Sequence, residues 1–373
     1  MTPDELTARY FLSRLLWWRH DLDRLDAEAI AQLVAVLREV KADIQAQFDA
    51  EAEGIASITD WSRERMQALD RWADEVLAGA NSAIAETLSE SAALAAAASL
   101  ATYNAMLSFE GKASAVQTVG MTAEQIRAWF QDTPLGAGSL QSWVDRAFSN
   151  GVKDSLLAAL RKAGVEGKGT ATTVRRIMRL ALDEGFQITQ REAAILTRTY
   201  IQTANNRAME AVYSANEHLF KGYKRVETLD NRTCIWCALA DGTEYGLHEP
   251  RPALPAHPGC RGIYTIIPKG WRDFGIDLDD LTEVTRPWVL REPGPIGTGG
   301  RKIEEWGTTK EDFKGWWFSL NRKQQFKTSI GPVRRELLLS GKVQWEDLTD
   351  RTTGIPYTLE ELGFDRMGNR LER

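Results

Sequence analysis

Cys234, Cys237 and Cys260 are the only three cysteines in a chain of 373 residues, and all lie within 27 positions of one another. His257 precedes the last of them in an H-x2-C arrangement, so the full pattern is C-x2-C, nineteen residues, then H-x2-C. Thiolates and imidazole are the ligands zinc prefers, and two such knuckles can close a tetrahedron with ligand distances of ~2.0 to 2.3 Å. Asp241-Gly242 supplies a tight turn between the knuckles, and Pro255, Pro258 and Gly259 bend the chain around His257 and Cys260. Three thiolates with one Zn²⁺ leave a formal charge of −1, which Arg232 and Arg261 are placed to offset. The competing readings are buried small hydrophobes or a disulfide. A disulfide leaves one thiol over and is disfavoured in a reducing cytoplasm.

Four protein ligands leave no open position for water, whereas a catalytic zinc keeps one, with a carboxylate base nearby. The deaminase order, H-x-E before P-C-x-x-C, is not followed, since Cys-x-x-Cys comes first and His248 is followed directly by Glu249. H-E-x-x-H is absent. Gly297-Thr-Gly299-Gly300 lacks dinucleotide-loop spacing, and Gly164-Val-Glu-Gly167-Lys168 lacks that of a phosphate loop. With four histidines in the chain, no Ser-His-Asp set stands out. The expectation is a structural zinc and no enzyme.

The elements that must position this segment are mostly helical. Thr2-Pro3-Asp4-Glu5 combines a cap, a proline at the first helical position and a glutamate three residues on, so a helix is expected to about Arg19. From Asp26 a second helix is predicted by Leu33, Leu37, Val40, Ile44 and Phe48 on one face. Residues 60 to 107 continue without proline, and Ala92 to Ala98 permit close helix approach. Thr122 to Gln125 opens another helix, Pro134 to Ser139 breaks it, and further helices are expected near 140–163 and 171–184. A capping box at Thr189 to Glu192 opens a long helix to Asn216, with Ala194, Thr197, Ile201, Ala204, Ala208 and Ala211 along one face. Short strands follow at Tyr223 to Leu229 and Gly262 to Ile267. The stretch from Arg291 to Gly300 is a linker by composition. Beyond it, Val333 to Leu339 and the box Thr358 to Glu361 indicate a small helical unit.

The fold class is therefore read as mainly α: an elongated multi-helix architecture, one small β-containing zinc-knuckle-like module and a small helical C-terminal unit. The boundaries are 1–107 for an acidic N-terminal helical region, 108–222 for a central helical region, 223–271 for the β/zinc module, 272–307 for an extended linker and 308–373 for the C-terminal unit. With 43% hydrophobic and 26% charged residues, the composition is that of a globular protein. No stretch reads as a membrane span and no secretion signal is apparent, so the chain is expected in the cytoplasm where it is made. The net charge is −6, but residues 1–100 hold 9 basic against 18 acidic residues and residues 151–232 hold 14 against 9. The middle, with Arg175, Arg176, Arg179 and Arg198, is thus the candidate footprint for nucleic acid. Among thirteen tryptophans, the pairs Trp17/Trp18 and Trp316/Trp317 are candidate partner anchors, since neighbours on a helix point about 100° apart and fit poorly into one small core.

Thr197-Arg-Thr-Tyr200 with Asn205, Asn206 and Tyr213, then Asp230-Asn-Arg-Thr-Cys-Ile-Trp-Cys237, Asp241-Gly242 and Pro255-Ala-His-Pro-Gly-Cys-Arg261, resembles the phage Mu F-like minor head protein family. The tail is similar as well, with Trp316, Gln324, Gln325, Gly331, Arg334, Gly341, Asp347 and Leu348. The resemblance covers about residues 170–355. It implies a minor capsid or head morphogenesis protein of a bacteriophage, made in the host cytoplasm and incorporated in the virion. Its partners would be the portal and major capsid proteins, with a role in head assembly, genome packaging or ejection. The alternative is a zinc-stabilised nucleic-acid-binding protein that contacts packaged DNA.

Overall fold

The computed structural model describes residues 3–53, 63–107, 171–269, 285–292, 303–350 and 355–371, with a few residues between 119 and 128. The chain is mainly helical. Helix α1 spans Pro3–Glu53, 51 residues or about 75 Å at 1.5 Å per residue. It passes without interruption through the region between Arg19 and Asp26 where the sequence suggested a break, because no proline or glycine stands there. Trp18, Leu22, Leu33, Leu37, Val40 and Ile44 form its buried stripe; the side chain of Phe48 lies outside the described residues.

Helices α2 (Arg63–Leu107) and α3 (Ala171–Ala215) each pack on α1 and on one another. Their inner faces bring in Ile84, Leu88, Ala92, Ala96 and Tyr103 from α2, and Leu196, Ile201, Ala204, Ala208 and Val212 from α3. Helix α3, which falls in the expected central region 108–222, is the third wall of the core that α1 and α2 begin. Helix α3 also joins two predicted helices. Gly185 inside it costs roughly 1 kcal/mol of helix propensity, which burial of Phe186 and Ala193 just beyond it offsets. The box at Thr189 to Glu192 accordingly lies inside a helix. At Thr122 the predicted start is present, with Thr122 N donating to Gln125 Oε1 at 2.9 Å and Gln125 N to Thr122 Oγ1 at 3.1 Å. The helix expected near 140–163 and the break at 134–139 fall outside the described residues.

After a 3₁₀ turn at Glu217–Leu219, strand β1 (Phe220–Val226) forms the centre of an antiparallel sheet. Its neighbours, in chain order, are β3 (Glu244–Gly246) and β4 (Ile263–Pro268). Phe220, Tyr223, Ile263, Tyr264 and Ile266 seal the end of the helical core. Two-residue β2 (Leu229–Asp230) pairs in parallel with β5 (Arg286–Arg291), which pairs antiparallel with β6 (Ile303–Thr309). Helix α4 (Ile235–Ala240) follows β2.

Strands β5 and β6 correct the expected linker 272–307. Pro287 is tolerated in β5 because β2 pairs only with Trp288 and Val289, leaving the edge beside Pro287 without a ladder partner on that side. The C-terminal helices α5 (Phe313–Ser319), α6 (Arg322–Phe326) and α7 (Pro332–Leu339) then close a second core. That core joins Leu290, Phe313, Trp316, Trp317 and Trp345 with Leu229, Ile235 and Ala238, so the boundaries at 271/272 and 307/308 do not separate independent units. The reciprocal bonds of the box at Thr358 to Glu361 are made, 2.6 and 3.2 Å, but they close a turn and not a helix.

Trp316 and Trp317 are both 0% exposed, which corrects their reading as partner anchors. The short helix α5 is clasped on two sides. Trp316 meets Trp288 and Phe313, while Trp317 meets Trp345 edge-on and donates Nε1 to Thr328 Oγ1 at 3.1 Å. Trp18 likewise faces inward, with its indole bonded to Asn205, and the side chain of Trp17 lies outside the described residues. Among the described residues no helix is long and apolar enough to cross a membrane.

Candidate metal centre

Cys234 is the N-cap of α4, and its sulfur accepts the backbone N–H of Cys237 at 3.4 Å. The C-x2-C spacing therefore sets one sulfur at the helix start and the next one turn inside it. His257 and Cys260 arrive on the loop between β3 and β4, where Gly259 adopts φ +74° and Cys260 N closes a turn on His257 O. His257 Nε2 lies 3.2 Å from Cys234 Sγ and 3.1 Å from Cys237 Sγ, and Cys237 Sγ lies 3.8 Å from Cys260 Sγ. A tetrahedral zinc with ~2.3 Å bonds to sulfur has a ligand–ligand edge of about 3.8 Å. The four residues chosen from the sequence are brought together around Cys237: Cys234, Cys237 and His257 form one group that could hold a metal ion, and Cys260 adjoins it through Cys237.

The surroundings fit that use. His257 Nδ1 faces the Pro258 carbonyl at 2.9 Å. An N–H donated there makes Nε2 the nitrogen that would ligate once its own proton is displaced, the usual way a second contact orients a ligating imidazole. Hydrogen bonds from Cys237 and then His257 bring the Cys234 thiol down to about 4. Cys237, with backbone groups of Ala256 and Gly262, brings Cys260 down to about 5. Cys237 is pushed upward because it is the proton donor to both, and Cys234 raises His257 to about 9. At neutral pH the four groups thus carry two thiolates, one thiol and one imidazolium, a net charge of −1. A divalent ion that displaces the last two protons leaves three thiolates, a neutral imidazole and the same net charge.

The cluster is held on two sides. From α3, Thr199 Oγ1 accepts Gly259 N–H at 2.8 Å, and Gln202 and Asn206 donate to the Gly262 carbonyl at 3.2 and 3.5 Å. Below it, Asp241 caps the end of α4 and accepts Glu227 N–H at 2.7 Å, Phe313 N–H at 2.7 Å and a fork from Arg286.

The cations expected at the sulfurs are engaged elsewhere. Arg261 forks onto Asp230 at 2.5 and 2.7 Å, and Arg232 reaches Asp230 and Asp23. Burial alone would raise the Asp230 carboxyl, but Arg261 and then Arg232 hold it well below the usual carboxylate range. The guanidinium at the sulfurs belongs to Arg225, whose Nη2 is 3.6 Å from Cys237 Sγ. Arg225 also holds buried Glu227, whose carboxylate forms a second close group with Cys237 and Cys260. Arg225 and Glu227 were missed in the sequence; the available signal was their i, i+2 spacing on a predicted strand, which puts both side chains on one face. Of the basic residues proposed to meet nucleic acid, Arg179 is paired with Asp49 at 3.0 Å and Arg198 is half-buried. The side chains of Arg175 and Arg176 lie outside the described residues.

In comparisons with known proteins, no family model, no curated protein and no solved structure matches the chain.

Proposed function

We propose that this chain is a bacteriophage minor capsid or head morphogenesis protein. It is a structural component that docks on the portal and capsid shell and assists head assembly or genome packaging and ejection. Cys234, Cys237, His257 and Cys260 hold one structural zinc in it. The observation that carries the reading is the Cys/His cluster at the junction of the two cores. Cys234, Cys237 and His257 meet with Cys260 beside Cys237, helix α3 grips the knuckle backbone from one side, and β2 and α4 lead from the cluster into the C-terminal core. Residues of the motif that resembles minor head proteins serve this docking: Thr199 and Asn206 bond the knuckle backbone, Asp230 and Arg261 pair beside it, and Tyr213 packs on Phe220 and Tyr223. They brace the scaffold around the knuckles. The protein is made in the host cytoplasm and ends in the virion.

The test is Cys237→Ser introduced into the phage that encodes the chain. The expected result is about one zinc per wild-type chain by elemental analysis, with metal lost, residues 230–262 opened to protease and fewer copies in purified heads for the variant. Structural zinc supplies folding free energy, and a small module cannot replace it from its own core. Well under one zinc per chain in chelator-free protein rejects the metal, and purified heads without the chain reject the virion role. Loss of the chain from heads on nuclease treatment would move the assignment to a DNA-bound protein.

A further inference from the structure

The metal site proposed above leaves a residual charge of −1 in a buried place, and one cation touches it. Arg225 is 1% exposed. Its Nε and Nη2 bond Glu227 Oε1 at 2.8 and 2.7 Å, and Nη2 also lies 3.6 Å from Cys237 Sγ. The guanidinium is planar and rigid, so fixing one edge on a carboxylate fixes where the other N–H groups point. Glu227 is itself fixed, with its N–H on Asp241 and its carboxylate beneath Gly262, where a Cβ would come within 2.4 Å of Oε1. The absence of a side chain at Gly262 is what allows the Cys260 knuckle to cross this close. Trp236 covers the guanidinium from the far side, its ring 5.9 Å from the Arg225 carbon.

We infer that Arg225 is the positioning residue of the metal centre: held by Glu227, it donates an N–H to the Cys237 thiolate, and so sets how tightly the ion is kept. Cys237 is the central sulfur, since it alone approaches both His257 and Cys260. An N–H donated to a thiolate stabilises its negative charge and lowers the energy of its lone pairs. The inference rests on the metal reading but concerns a residue outside the ligand set.

The test uses the full chain loaded with Co²⁺, read by its sulfur-to-cobalt charge-transfer and ligand-field bands, and by competition with a chromophoric chelator. Removing one partner of a buried ion pair leaves an uncompensated charge, whereas neutral replacement of both is tolerated. The decisive variant is therefore Arg225→Met with Glu227→Gln, compared with Glu227→Gln alone. The double variant should keep a four-ligand spectrum, move the charge-transfer band to lower energy and lose roughly 10- to 100-fold in affinity, as outer-shell substitutions do. Glu227→Gln alone keeps the guanidinium but loosens the carboxylate that holds it, so it should move the band and the affinity in the same direction by less than the double variant. If the double variant does not fold, Arg225→Lys carries the test, with a smaller displacement of the band in the same direction. Unchanged band energy and affinity in the variant that folds overturn the role of Arg225. A wild-type chain without a tetrahedral cobalt spectrum overturns the metal reading instead.

Discussion

Trp18 and Asn205, 187 positions apart in the chain, are joined by a hydrogen bond in which the indole Nε1 donates to Asn205 Oδ1 at 3.0 Å. The same oxygen lies 3.0 Å from Ser99 Oγ and 3.4 Å from Tyr103 Oη. One amide of α3 therefore fixes the rotation and height of both α1 and α2. A buried polar group of this kind specifies one arrangement among helix faces that are otherwise alanine and leucine.

Asn205→Leu should destabilise the bundle by about 2–4 kcal/mol, since it strands the buried indole N–H, to which burial assigns a cost of ~1–3 kcal/mol, and forces a bulkier apolar side chain into the same space. Trp18→Phe should cost less, because no donor is stranded and Asn205 Oδ1 keeps the hydroxyls of Ser99 and Tyr103. Urea denaturation followed by helical circular dichroism measures both. Equal midpoints for wild type and Asn205→Leu would contradict the role given to Asn205.

Metal uptake should release about two protons per ion at neutral pH. His257, raised to about 9, and Cys237, whose thiol is pushed upward, both hold a proton before the ion enters, whereas Cys234 and Cys260 are already thiolates. Apparent affinity should then rise about 100-fold per pH unit near neutrality, since each displaced proton contributes a factor of ten. Calorimetry in buffers of different ionisation enthalpy counts the protons directly. A count near zero would show that the cluster is already deprotonated.

Acid should weaken the fold through Asp230. Its carboxyl is held below the usual range in the folded chain, so its contribution to stability is present above the unfolded value of about 4 and lost as pH falls beneath it. Asp230→Asn should be destabilised at pH 7, where it leaves the buried Arg261 without its counter-charge. The difference from wild type should shrink as pH drops below 4. Denaturation midpoints between pH 3 and 7 test this, and a gap that stays constant would exclude Asp230 as the group responsible.

Trp316→Ala and Trp317→Ala should each cost about 3–5 kcal/mol, the range for emptying a large aromatic site in a packed core. Trp317→Phe should cost about 1–2 kcal/mol, mainly through the buried Thr328 hydroxyl left without its indole donor. Near-ultraviolet circular dichroism and thermal melts report these losses in the isolated chain, before any partner is added. Unchanged melts would return both residues to a role at a surface.

The Cys/His cluster was legible because its chemistry is local: two residues between cysteines and two between His257 and Cys260 suffice to name it. Most helix faces were legible too, through the spacing of Leu33, Leu37, Val40 and Ile44. The surrounding shell was not. Arg225 and Glu227 come from a strand that reads only as β-formers, and their contact with Cys237 depends on how that strand passes under α4. The Pro- and Gly-rich stretch after Arg291 reads as a linker, but strands stand on both sides of it, since composition shows where a chain turns and not what it returns to. The Trp316/Trp317 pair was misread because helix geometry says the rings diverge, yet not that protein lies on both sides of α5.

The late position of α3 in the chain has a consequence for synthesis. At about 5–20 residues per second, the ribosome needs roughly 5 to 20 s to pass from Leu107 to Asn205. Throughout that interval the inner stripes of α1 and α2 have been made but helix α3 is absent or incomplete. A nascent chain stalled near residue 110 should therefore recruit chaperones or self-associate, and one extended past the end of α3 should not. The order in which the helices leave the ribosome, more than their propensities, decides how long this protein is exposed to misassembly.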